Sequence, residues 1–212
     1  MSYFSARLFS WVQDAAFYRQ LHQEAVELLP RGSGQPWLDA GCGPGLVTRL
    51  AAAHGYSAVG VDTDPHMIRI ARRISQRQAG CGSLRFEIAD LAHLPENSAE
   101  AVSAASLLAV MDDRPAALDA LLRCTRPGGT LLIIEPTTKM TRDAARQLNR
   151  SGRHGTPSLA LRLWAYARAG RAVDPEIFYA TGHSVEKIPL LDGLVAAWKI
   201  RKSNDSIESS LS

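Results

Sequence analysis

What this 212-residue sequence has little of narrows the field first. No apolar run approaches the ~20 residues that cross a bilayer, and the start of the chain lacks the basic residues and apolar core of a secretion signal. A cytoplasmic protein without a transmembrane segment is the expectation. Cysteine is sparse: Cys42, Cys81 and Cys124 are odd in number and far apart, which argues against a disulfide framework and against a zinc site, so no metal is expected. Charge of one sign is also scarce. The net +3 is too small to argue for a nucleic-acid partner. No internal repeat is present. With 46% apolar and 21% charged residues, the composition is that of a globular chain long enough to bury a full core, and one domain is expected over 1–202 with a polar tail from 203 to 212.

The most informative stretch is Trp37 to Thr48. An apolar, β-prone start runs into Asp39, then Gly41, Gly43 and Gly45 fall at alternate positions before the helical run Leu46 to Ala52. Residues without a Cβ let a ligand come against the backbone, and the first N–H groups of the new helix face whatever lies over the turn. Strand, glycine turn and helix therefore make a cofactor cradle. A dinucleotide fingerprint needs a further glycine where Leu46 stands, which weakens that reading.

Two later strands end in carboxylates. Ala58-Val59-Gly60-Val61-Asp62 lies one helix and one return strand beyond the glycines, and Leu84 to Asp90 alternates with period two. In an open parallel sheet a ligand binds beyond the C-terminal strand ends, where Asp62 can accept both ribose hydroxyls of an adenosine. Asp64-Pro65 starts the intervening helix, whose outer face bears Arg69, Arg72, Arg73 and Arg77 as a solvated basic stripe. Ala101 to Leu108 reads as a fourth strand, Pro115 to Cys124 as a helix, and Leu131 to Pro136 as a fifth, buried strand, apolar but for Glu135. Two strands, 184–191 and 194–201, are joined by Asp192-Gly193.

Leu38-Asp39-Ala40-Gly41-Cys42-Gly43-Pro44-Gly45, Asp62, Asp90, the Arg126-Pro127-Gly128-Gly129 turn and the closing hairpin together resemble the class I S-adenosylmethionine (SAM) dependent methyltransferases, of small-molecule type. A looser similarity of 191–202 is to the ubiquinone/menaquinone-type C-methyltransferases. The resemblance implies an α/β fold: a seven-stranded, mostly parallel Rossmann-like sheet with helices on both faces and a C-terminal antiparallel hairpin. It implies SAM as cofactor and S-adenosylhomocysteine (SAH) as product. Asp39, Gly41, Cys42, Gly43 and Gly45 would then hold the amino-acid end, Asp62 and Thr63 the ribose, Met67 the adenine face, Asp90 and the Leu91 N–H the adenine edge, and Ser106 the methionine part.

The resemblance also implies an N-terminal helical cap over residues 1–30, with Tyr3, Phe4 and Tyr18 facing the pocket, and a variable substrate-covering segment over 137–173. From Lys139 to Arg171 eight cations face the single acid Asp143, which suits a lid over an acidic or aromatic small molecule, a solvated cationic face, or a helix lying on a membrane surface. The fourth-strand loop offers Ala109 and Val110 where many relatives carry a histidine or aromatic residue. A general base, where the acceptor needs one, would come from His154, His183, Tyr18 or Glu135.

The leading reading is methyl transfer to a small molecule in the biosynthesis of a cofactor or secondary metabolite, by a monomer or homodimer. A non-catalytic SAM-fold partner protein and an RNA or protein methyltransferase are the rivals. The last is disfavoured because Ser106-Leu107-Leu108-Ala109 stands in place of an Asn/Asp-Pro-Pro-aromatic motif, and no nucleic-acid module is appended.

Overall fold

Each β-prone run between residues 36 and 201 becomes a strand of one seven-stranded sheet in a computed structural model that describes residues 11–12, 15–76, 83–152 and 159–204. The strands are β1 (Pro36–Ala40), β2 (Ser57–Asp62), β3 (Leu84–Ile88), β4 (Ala99–Ala105), β5 (Thr125–Pro136), β6 (Ser184–Leu190) and β7 (Val195–Arg201), in the order β3-β2-β1-β4-β5-β7-β6. The first five run parallel, while β7 pairs antiparallel with β5 and with β6. The order reverses at β1. Chains that leave β1 and β4 therefore diverge there, opening a crevice at their C-terminal ends.

Helices cover both faces. They are α1 (Ala16–Val26), α2 (Leu46–Ala53), α3 (Pro65–Ser75), α4 (Arg114–Cys124), α5 (Arg142–Ser151), α6 (Leu159–Arg168) and the short α7 (Glu176–Tyr179). Alternation along β5 divides the core: Leu132 and Ile134 join the cluster under α1, α2, α5 and α6, whereas Leu131 and Ile133 join the cluster under α4 and α7. Ile68 and Ala71 of α3 pack separately on Phe86 and Cys42. Asp64 and Asp113 cap α3 and α4 through the amides of His66 and Ala116. Among the described residues no helix is long and apolar enough to cross a membrane.

Three local expectations change. The fourth strand ends at Ala105, not Leu108, because Ser106 adopts φ +55° and the chain turns into a 3₁₀ turn over Leu108–Val110. The Arg-Pro-Gly-Gly turn is not separate from the fifth strand but a bulged loop at its start: Ala99 pairs with Thr125 and Ala101 with Thr130. Asp192-Gly193 does not make a two-residue hairpin, since Leu190 pairs with Val195 and positive φ runs through Leu191, Asp192 and Gly193. Arg72 stays exposed on the basic stripe but is also anchored, donating from Nε and Nη2 to the Phe86 carbonyl at 3.0 and 2.6 Å. Tyr3, Phe4, Arg77, Cys81, His154 and the tail beyond Asn204 lie outside the described residues.

Candidate active site

The glycine turn is held from three sides. The Gly45 amide donates to the Cys42 carbonyl at 2.9 Å, and the buried Arg49 reaches back from α2 to donate from Nη1 to the Pro44 carbonyl at 2.7 Å. The third hold is Asp62, whose Oδ2 accepts from the Gly43 amide at 2.9 Å while Oδ1 accepts from the Asp64 amide at 2.8 Å. A carboxylate with one lone pair on each oxygen already engaged is fixed in orientation and retains acceptor capacity for a ligand. Gly41 has φ +65°, a conformation that favours glycine, and a Cβ there would meet Leu107 Cδ1 at 2.8 Å, so the backbone passes close under the fourth-strand loop.

Asp39 is 1% exposed and more constrained than the sequence suggests. Oδ2 accepts from Thr48 Oγ1 at 2.6 Å and Oδ1 from Ser103 Oγ at 2.8 Å, and Trp37 Nε1 in turn donates to Ser103 Oγ at 2.8 Å. Burial pushes its carboxyl up to about 6, against the opposing pull of the two hydroxyls. The side chain thereby ties β1, β4 and α2 together beneath the turn.

One cavity of about 680 Å³ lies over these elements, within the range of small-molecule and cofactor sites. On the side of β1, β2 and β3 its wall is made by Asp39, Gly41, Cys42, Gly43, Asp62, Thr63, Met67, Asp90 and Leu91. Asp90 is exposed, and its Oδ1 accepts from the Ala92 amide at 2.9 Å. Across the β4 end the wall is Ser106, Leu107, Val110 and Met111. α1 contributes Tyr18, and α6 contributes Leu163, Trp164, Ala167 and Arg168, four positions that share one helix face. Tyr18 and Trp164 meet edge to face at 5.7 Å, and Phe17 also contacts Trp164, so α1 and α6 close over the cavity as a pair.

Ten of the eleven expected cofactor residues line this one cavity. Gly45 does not: at φ +79°, it leaves room for the Phe86 ring and Ala71 where a Cβ would overlap them, a packing role beneath the turn. Of the expected bases, Tyr18 lines the cavity. His183 does not, because it precedes β6 at the sheet end where Ser184 pairs with Arg201 and Arg201 with Thr130, opposite the cavity. Glu135, at the end of β5, is buried behind the wall: Oε1 accepts from the Leu108 and Ala109 amides at 2.7 and 3.4 Å, Oε2 has no hydrogen-bond partner among the described residues, and burial raises its pKa to about 8. It caps the 3₁₀ turn and is not among the residues that line the cavity.

Sequence reasoning missed the turn lock by Arg49, the Trp37–Ser103–Asp39 chain and the inward position of Arg168. An arginine at the fourth position of a helix carries no local mark of burial. Arg168 could have been picked out only from its i, i+4 and i, i+5 spacing to Trp164 and Leu163.

Strand order, glycine turn and strand-end carboxylates define the Rossmann-like class I methyltransferase fold. Residues 38–133 match the family described as "Methyltransferase domain". It is 32% identical over 180 residues to the trans-aconitate 2-methyltransferase of Methylobacterium radiotolerans, covering 77% of this chain and 65% of that one. It is 31% identical over 126 residues to the demethylmenaquinone methyltransferase of Tropheryma whipplei, covering 59% and 50%. The magnesium protoporphyrin IX methyltransferase of Synechocystis, solved with bound SAH, superposes with a TM-score of 0.65 at 16% identity over 93% of this chain and 94% of that one. The chain spans from 43% to 65% of the length of four curated relatives it matches.

Proposed function

We propose that this protein is an enzyme that transfers the methyl group of SAM to a small acceptor of acidic or aromatic character, in the biosynthesis of a cofactor or secondary metabolite. The observation that carries the reading is the convergence of the glycine turn, Asp62 and Asp90 on one cavity that continues past the β4 end into an apolar chamber. The residues present fit the cofactor. Asp62, fixed by two amides, suits the ribose hydroxyls; Asp90 and the Leu91 amide suit the adenine edge and Met67 its face; Gly41 and Gly43 let the amino-acid end approach the backbone. Asp39, with both oxygens engaged, acts by its field and by shaping the turn. When bound, SAM supplies an activated methyl group, so this chain contributes mainly position and exclusion of water.

The acceptor chamber is bounded by Tyr18, Leu107, Val110, Met111, Leu163 and Trp164, surfaces that suit an apolar or aromatic body. That a relative is named for trans-aconitate, an acid, supports the acidic alternative. On the outer side of the lid, Leu159 and Tyr166 are exposed among Arg142, Arg146 and Arg162, a composition that supports contact with an anionic membrane surface. Incubating the protein and methyl-labelled SAM with fractionated small-molecule extract, followed by mass spectrometry, tests the proposal. A labelled small product is expected, and tight SAH binding without transfer to any fraction would identify a non-catalytic protein.

A further inference from the structure

Eight cations crowd residues 139–171, and the fold separates their roles. Arg142 stacks at 4.0 Å on the exposed Tyr166 ring, Arg146 pairs with Asp143 at 3.1 Å, and Arg162 lies on the outer face of α6. Arg168 belongs to the other face, with Leu163, Trp164 and Ala167. Among the described residues that line the cavity it is the one cation, set in a wall whose remaining members on that side are apolar or aromatic.

Its position relative to the strands is equally informative. Asp39, Asp62 and Asp90 mark the ends of β1, β2 and β3. Among the groups that act on Arg168 are Tyr18 of α1, Arg171 just beyond its own helix, and Glu135 of β5, which lies two strands from β1 on the far side of β4. The cavity is thus polarised, with carboxylates over one half of the sheet and a guanidinium over the other. Burial keeps Glu135 largely protonated at neutral pH, which weakens its opposition to the charge of the arginine.

We infer that Arg168 is the specificity-determining residue for the acceptor, and that the acceptor is an apolar small molecule carrying a carboxylate, which the guanidinium receives while the Tyr18–Trp164 wall holds the apolar body. A planar fork of donors matches a carboxylate in two parallel hydrogen bonds, and in an apolar wall such a contact discriminates strongly against a neutral isostere. This rests on the methyl-transfer reading for the identity of the other half of the cavity.

The test is calorimetric binding of cinnamate and octanoate, and of their carboxamides, to the full chain saturated with SAH, for the natural protein and for Arg168→Gln. The natural protein should bind the acids at least about tenfold tighter than the amides. In Arg168→Gln that ratio should collapse to near unity with SAH affinity unchanged within about twofold. No preference for the acids in the natural protein, or the same preference in the variant, overturns the inference. A parallel fall in SAH affinity also overturns it, by assigning the arginine to the carboxylate of the cofactor. Failure of the natural protein to bind SAH at all is read separately and removes the methyl-transfer reading instead.

Discussion

The amide of Gly43, in the turn after β1, donates to Oδ2 of Asp62, at the end of β2, over 2.9 Å. The carboxylate that faces the cavity is thus also the group that sets the height of the glycine turn. A change at Asp62 therefore acts on the fold as well as on a ligand. Asp62→Asn presents an amide nitrogen to one of the two backbone donors and forfeits that hydrogen bond. A loss of about 1–2 kcal/mol in unfolding free energy is expected from urea titration. Unchanged stability would mean that the turn does not depend on this contact.

Gly45 separates packing from binding within the same turn. Its φ of +79° is costly for any residue with a side chain, and a Cβ would overlap the Phe86 ring. Gly45→Ala should cost about 2 kcal/mol of stability. Adding Phe86→Leu should recover part of that loss, because it removes the overlap but not the backbone strain. Denaturant unfolding of the single and double variants reads both, and a double variant no more stable than Gly45→Ala alone would refute the packing account.

Glu135 makes stability depend on pH with a defined sign. Its folded pKa of about 8 lies above the ordinary carboxyl value of 4.5, so the folded state holds the proton more tightly. Its contribution is complete below about 4.5 and is lost as pH rises towards 8. Asp39 acts in the same direction only up to about 6. His22, buried and lowered to about 4, acts in the opposite direction below 6.5. Between pH 6.5 and 8 the decline should therefore belong mainly to Glu135. Urea unfolding across that window should show stability falling in the natural protein and a flatter profile in Glu135→Gln. Identical slopes would place the titration elsewhere.

The strands and their order of use were legible because each ends in a residue with a reason to be there: the glycines after β1, Asp62 after β2, Asp90 just past β3. Ten residues expected around a cofactor do meet at one cavity. The β4 end was misread by three residues because Ser106, with positive φ, carries no sequence sign of a turn, and Leu107-Leu108 continues the apolar run. The buried polar chain from Trp37 through Ser103 to Asp39 joins residues 66 and 64 positions apart and is a property of the sheet pairing alone. For the same reason Glu135 looked like a base: its carboxylate points to amides of the fourth-strand loop that only the fold brings near. In the lid, composition showed a cationic segment, but the division into an outer arginine face and an inward Arg168 required the phase of α6.

The central claim is that the carboxylate at the end of β2 holds a SAM-type ligand. Isothermal titration of SAH into the natural protein and Asp62→Ala measures this most directly, with Asp90→Ala as the milder comparison. The natural protein should bind, Asp62→Ala should lose at least about 2 kcal/mol, roughly thirtyfold, and Asp90→Ala should lose less. A natural protein that does not bind SAH, or an Asp62→Ala variant that binds it with undiminished affinity, would contradict the account.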